Sequence, residues 1–168
     1  MSLAEFIEVA ENEVGEKETG TTNQTKYGKW FGSDGQPWCG MFIAWCANEA
    51  GILTTASSAN LPYVPKLAGV KAIRDWYANC GRCLAPNMNA ASANRLRPGD
   101  VVIIDNATSG DTNHAGIVVS VDYNTKKAVV VEGNYSDKVS KVTYTDLVSN
   151  NESNVRISYL CSNNVRIS

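Results

Sequence analysis

Apolar positions change rhythm near residue 97. Before it they recur at helical spacing; after it they fall in short blocks bounded by turn residues. Leu3, Phe6, Ile7, Ala10 and Val14 follow the helical period. Ser2 with Glu5 reads as a capping box ahead of them, and Gly15 as a stop. Residues 16–38 are rich in Gly, Thr, Asn and Ser and read as one long loop folded over the functional site. From about Pro37 to Ala50 the chain is apolar nearly all round, which predicts a buried helix ending at Gly51. Val70, Ile73, Trp76 and Tyr77 predict a further helix that ends near Gly81. From Arg97-Pro98-Gly99-Asp100 onward, residues 101–105, 114–122, 128–132, 139–145 and 155–161 read as strands joined by short loops. Helices followed by hairpin-linked strands make an α+β pattern, with helices packed on an antiparallel sheet of five to six strands.

At 168 residues the chain is the size of one domain, expected to span 1–168. Its net charge of -2 supplies no basic surplus for nucleic acid or an anionic membrane. No apolar run is long enough to insert in a membrane. The opening Met-Ser-Leu-Ala-Glu-Phe-Ile-Glu is acidic and amphipathic, unlike a signal or transit peptide. The chain is therefore expected to act where it is made, to leave by a route without a classical signal, or to be part of something longer. A monomer is expected.

Two residues then stand out. Cys39 lies at the expected start of the buried helix, and His114, the sole histidine, opens a strand far downstream. A thiol at a helix N-terminus meets the positive end of the helix dipole and unpaired N–H groups, both of which favour the nucleophilic thiolate. A histidine within reach completes a nucleophile–base pair. The base also needs a group that holds its ring. Period-two alternation places Val130, Glu132 and Asn134 on one strand face, so Glu132, or Asn134 in its place or beside it, is the candidate. Taken singly, Cys39 reads equally well as a small core residue, His114 as a strand-end polar group and Asn134 as a turn former.

Pro37-Trp38-Cys39-Gly40-Met41-Phe42, Arg97-Pro98-Gly99-Asp100-Val101-Val102, Asn113-His114-Ala115-Gly116-Ile117-Val118-Val119 and Val131-Glu132-Gly133-Asn134 together resemble the CHAP family. Those are cysteine- and histidine-dependent amidohydrolases and peptidases of bacteria and phages. The resemblance runs over roughly residues 3–161 and implies a papain-like α+β fold that cleaves amide bonds in peptidoglycan. The family's cysteine and histidine map to Cys39 and His114, its acidic and amide positions to Glu132 and Asn134. Related NlpC-type wall peptidases often carry a tyrosine twelve residues before the cysteine, near the oxyanion site, and Tyr27 has that spacing. Trp38, beside the nucleophile, is a core residue or a wall of the substrate cleft. Some relatives bind calcium through an acidic loop before the cysteine; here Asn23, Gln24 and Asp34 are too sparse for such a cage, so neither metal nor cofactor is expected.

The expected reaction is attack by the Cys39 thiolate on a peptide carbonyl, passing through a thioester. The expected place of action is the bacterial wall, outside the cell or in the periplasm, reached through a holin, a specialised secretion system or a segment not present in this chain. Two other readings use the same residues: a catalytically silent module that binds wall or a partner, and a thiol-dependent deamidase or acyltransferase acting on proteins. Of the remaining cysteines, Cys46 lies about 10 Å further along the same helix and is read as core. Cys80-Gly81-Arg82-Cys83 is read as a reducible local disulfide or as free thiols. The pentapeptide Asn-Val-Arg-Ile-Ser occurs at 154–158 and again at 164–168, too little for a repeat architecture.

Overall fold

A computed structural model describes residues 2–20, 22–84, 93–106, 112–145, 147 and 155–165. Helices α1 (Leu3–Asn12), α2 (Lys26–Phe31), α3 (Cys39–Glu49) and α4 (Val70–Asn79) precede the main strands. β1 (Leu53–Thr54) and β2 (Val64–Pro65) form a small parallel pair. β3 (Cys83–Leu84), β4 (Val101–Asn106), β5 (Thr112–Asp122), β6 (Lys127–Tyr135), β7 (Lys138–Tyr144) and β8 (Val155–Cys161) form one sheet in the order β3-β8-β4-β5-β6-β7. Every pairing in it is antiparallel. Helices on a six-stranded antiparallel sheet are the α+β, papain-like architecture the sequence implies. No helix among the described residues is long and apolar enough to cross a membrane.

Local chemistry explains most boundaries. Ser2 Oγ accepts the Glu5 N–H at 3.1 Å and starts α1. The segment expected as one loop instead contains α2. Thr25 caps it by accepting the Gly28 N–H at 3.0 Å, and Gly32 ends it with φ 95. Six residues are too few to display a helical period, which is why the pattern of apolar positions passed over it. The stretch before α2 runs along the edge of the sheet, where Gly15 N donates to Val139 O and Val139 N to Glu16 O. The end of the 139–145 reading at Thr145 lies beyond β7, and Asn154 and residues 166–168 of the repeated pentapeptide lie outside the described residues.

Two buried charged groups tie the C-terminal strand to the rest. Arg82 is fully buried and donates to Ser162 O, Ala59 O, Tyr63 O and Asn163 Oδ1, at 2.9, 3.1, 2.8 and 2.6 Å. Asp100 accepts from Arg97 N, Asn163 N and Asn164 Nδ2 at 2.9, 2.9 and 2.8 Å. The Arg97-Pro98-Gly99-Asp100 motif is thus a structural clamp at the turn into β4. Replacing Arg82 by methionine strands several buried carbonyls at once. An expected loss of about 3 kcal/mol or more would be read by urea unfolding.

Candidate active site

The site is built where α3 packs on β5 and β6. Cys39 is the first residue of α3, and its N-cap Trp38 offers no side-chain hydrogen bond to the helix. The leading N–H groups of the helix are therefore left without a side-chain cap. Gly40 follows because the helix start presses on a neighbouring loop: a Cβ there would collide with the Ala68 carbonyl. Cys39 is buried, with 6% of its surface exposed.

His114 sits on β5, opposite Ile104 of β4. Its ring lies beside Cys39, close enough for the cysteine to shift its proton affinity. On its other side, Nε2 lies 3.0 Å from Glu132 Oε1. Neither of these two atoms has a well-aligned hydrogen bond, so this contact is one of charge more than of directed bonding. With Nε2 turned to Glu132, Nδ1 is the nitrogen left for the sulfur. Burial disfavours charge on His114, but the close polar contact and negative charge of Cys39 and Glu132 outweigh it and push its pKa up to about 10.

Glu132 is fully buried on β6. Gly116 of β5 makes room for it: a Cβ there would meet Glu132 Cγ at 2.7 Å and the Val131 carbonyl at 3.1 Å, and would strike Val130. The other Glu132 oxygen, Oε2, accepts the Tyr144 hydroxyl at 2.7 Å. Burial, reinforced by the Glu132 charge and this bond, raises the Tyr144 pKa, so the hydroxyl stays a donor. Tyr144 was not visible in the sequence as part of the site. It reaches Glu132 from the neighbouring strand β7, where its backbone partner is Ala128.

The remaining candidates have other settings. Asn134 does not continue the alternation of Val130 and Glu132: the β6–β7 register shifts between Glu132 and Tyr135, and Asn134 takes φ 61. Such a bulge re-aims side chains, and Asn tolerates the left-handed region better than most residues. Ser136 and Asp137, at φ 55 and 61, then close the hairpin. Tyr27 is fully buried, its hydroxyl donating to Glu13 Oε1 at 2.9 Å, and its ring stacks on Trp38 at 5.4 Å between centroids. Trp38 is also fully buried, with Nε1 donating to Glu18 Oε1 at 3.1 Å. Both rings brace the start of α3 from within rather than presenting a face to solvent. Tyr135, by contrast, is 43% exposed, with its ring 6.4 Å from the imidazole. Among the described residues no group of three or more His, Cys, Asp or Glu side chains gathers as a metal site. All five cysteines are free thiols, so of the two readings of Cys80 and Cys83 the structure has the free-thiol one; Cys46 is fully buried, as a core residue.

The crystal structure of Ly7917 aligns with 96% of this chain and 62% of its own, at 15% identity and a TM-score of 0.51. The crystal structure of Ly7917 with the hydrolyzing product of MDP aligns with 95% and 62%, at 14% identity and the same TM-score. At these identities the likeness is one of fold, and the chain spans about 62% of the Ly7917 length. No curated protein matches the sequence. The family model described as the CHAP domain matches residues 31–134, a stretch that contains Cys39, His114, Glu132 and Asn134. With more than half its length matched to that model, and an α+β fold to go with it, the chain belongs to the CHAP family.

Proposed function

We propose that this protein hydrolyses an amide bond of peptidoglycan, as an N-acetylmuramoyl-L-alanine amidase or as a stem or cross-bridge endopeptidase, with Cys39 as nucleophile. The observation that carries the reading is the contact between Cys39, at an uncapped helix start, and a histidine whose far nitrogen faces a buried carboxylate. Membership of the CHAP family supports wall hydrolysis as the general activity. The fold relative Ly7917, solved with the hydrolyzing product of MDP, is consistent with that class of substrate. The bacterial wall is accordingly the proposed place of action, and 1–168 the proposed single catalytic unit.

The chemistry follows from the geometry. The Cys39 sulfur attacks the carbonyl carbon, and the oxygen's growing negative charge is met by the Cys39 N–H at the helix start. His114 holds the proton in the resting pair and gives it to the leaving amine as the C–N bond breaks, leaving a thioester. His114 then takes a proton from water as it attacks the thioester, and Cys39 departs as thiolate. Glu132 steadies the imidazolium and fixes which nitrogen faces the sulfur; Tyr144 holds Glu132 in turn. Tyr135, exposed beside His114, is better placed than Trp38 to line the substrate's path. Asn134, half-buried at the bulge after Glu132, is proposed as a second polar support for the imidazole.

Activity requires a protonated His114, so the alkaline limb of the kcat/KM profile is expected near pH 10 rather than near 6.5. A profile already extinguished by pH 8 would contradict this. The same shift links folding to pH. The folded chain keeps the His114 proton above 6.5, where the unfolded chain releases it. Its stabilising share is therefore complete below pH 6.5 and is lost as pH rises towards about 10.

A substitution outside the reacting groups tests the scaffold. Gly116→Ala places a methyl against Glu132 and the β6 backbone, and is expected to lower activity roughly ten-fold or more while also lowering Tm. Alkylation separates enzyme from silent module. Iodoacetamide near neutral pH should modify Cys39 well ahead of Cys46, whose thiol is fully buried and whose pKa is raised by burial and by Glu13. Equal, slow labelling of both would favour a binding module without catalysis.

A further inference from the structure

Cys83 and Cys161, outside the candidate active site, are direct partners across the β3–β8 pair. The neighbouring pair, Arg82 and Ser162, exchanges a backbone hydrogen bond, Ser162 N donating to Arg82 O at 2.8 Å. Hydrogen-bonded and non-hydrogen-bonded pairs alternate along an antiparallel ladder, so Cys83 and Cys161 occupy a non-hydrogen-bonded position. Cα atoms there lie about 4.5 Å apart with their side chains on one face, within the range of roughly 4.4–6.8 Å that a disulfide spans. The two side chains are close enough to shift each other's acidity.

We propose that Cys83 and Cys161 are a modification site, a thiol pair that closes into a reversible disulfide when the chain meets a disulfide oxidant, tying edge strand β3 to β8.

The two partners are unequal in the way the exchange requires. Cys83 is half-buried and reachable, whereas Cys161 is fully buried. The Cys161 neighbour, working against burial, and the nearby Arg74 charge hold the Cys83 thiol below its ordinary range. Burial, then the Cys83 neighbour, pushes the Cys161 thiol well up. Arg74 is fixed beside the pair, its guanidinium 5.1 Å from the Tyr159 ring on β8. Cys83 is thus the attacking group. Its thiolate cleaves the oxidant RS–SR, forming Cys83–S–S–R and releasing one RS⁻. Cys161, giving up its proton, then attacks the Cys83 sulfur and releases the second RS⁻. Two protein thiols are oxidised, one small disulfide is reduced to two thiols, and the two protons end on them. The neighbouring Cys80 is bypassed, since the β-ladder and not the Cys-Gly-Arg-Cys spacing sets who faces whom. A chain that works outside a reducing cytoplasm would meet such an oxidant.

The test uses the full chain in a buffer of oxidised and reduced glutathione. Acid quenching, thiol blocking with N-ethylmaleimide and non-reducing trypsin digestion follow. Cleavage after Arg74, Arg82, Arg95, Arg156 and Arg166 puts Cys80, Cys83 and Cys161 on three separate peptides, 75–82, 83–95 and 157–166. The expected product is 83–95 joined to 157–166, kept in Cys80→Ser and lost in Cys83→Ser. The linked chain should melt roughly 5 °C or more above the reduced one, a gain that dithiothreitol removes. A link between 75–82 and 83–95 would overturn the proposal. So would the absence of any link under conditions where Cys39 has taken up glutathione, or a linked chain that melts no higher than the reduced one.

Discussion

Cys39→Ala is expected to lower the rate of wall hydrolysis roughly 10⁴-fold or more while leaving Tm within a few degrees of the parent. The sulfur supplies the only bond the proposed thioester can form, and no neighbouring group can replace it. The methyl group that remains fills most of the same space at a site still 6% open to solvent, so the fold loses little. His114→Ala should fall to nearly the same floor, and the double variant no further, because the two groups act as one unit. Turbidity clearance of purified walls reads the rates; circular dichroism melting reads the fold. A Cys39→Ala protein that clears walls as fast as the parent would remove the basis for the mechanism.

Glu132→Ala is expected to be the next most severe change, costing roughly 100-fold or more in kcat and lowering stability as well. It removes the charge beside His114 Nε2 and at the same stroke the acceptor of the Tyr144 hydroxyl. Two buried polar groups are then left without partners, at about 1–3 kcal/mol each. Two milder variants divide the effect. Glu132→Gln keeps the shape and removes the charge, so the alkaline limb of the pH profile should move down from near 10, since that charge is one of the forces raising His114. Tyr144→Phe keeps the charge and frees one carboxylate oxygen, so kcat should fall a few-fold with KM little changed. If Glu132→Gln left both the limb and the rate where they were, Glu132 would be a packing residue and nothing more.

Cys39, His114 and Glu132 could be singled out in the sequence because each carried a local signal. Cys39 opened an all-apolar helix, His114 was the sole histidine, and Glu132 was a charge at the end of an apolar strand. Their meeting is produced by α3 lying on β5 and β6, an arrangement the order of helices and strands already implied. Asn134 marks where that reasoning stops: alternation holds only while the ladder is regular, and a bulge with φ 61 is invisible to a period of two. Tyr144 was hidden for a different reason. Its hydroxyl reaches a residue that is not its strand partner, and side-chain reach is not encoded in strand pattern. Tyr27 had a suggestive spacing and Trp38 a suggestive neighbour; the structure buries both rings fully. Likewise the Cys80-Gly81-Arg82-Cys83 spacing drew attention to two cysteines, when the informative residue between them was Arg82, whose buried guanidinium holds carbonyls from two distant loops.

Digestion of purified peptidoglycan, followed by mass spectrometry of the released fragments, brings these lines together. The parent protein should generate fragments with one newly free amine and one newly free carboxyl at a single type of amide bond, and the Cys39→Ala protein none. Identical fragments from both proteins, or none from either in a wall that a known hydrolase digests, would contradict catalysis by the Cys39–His114 pair.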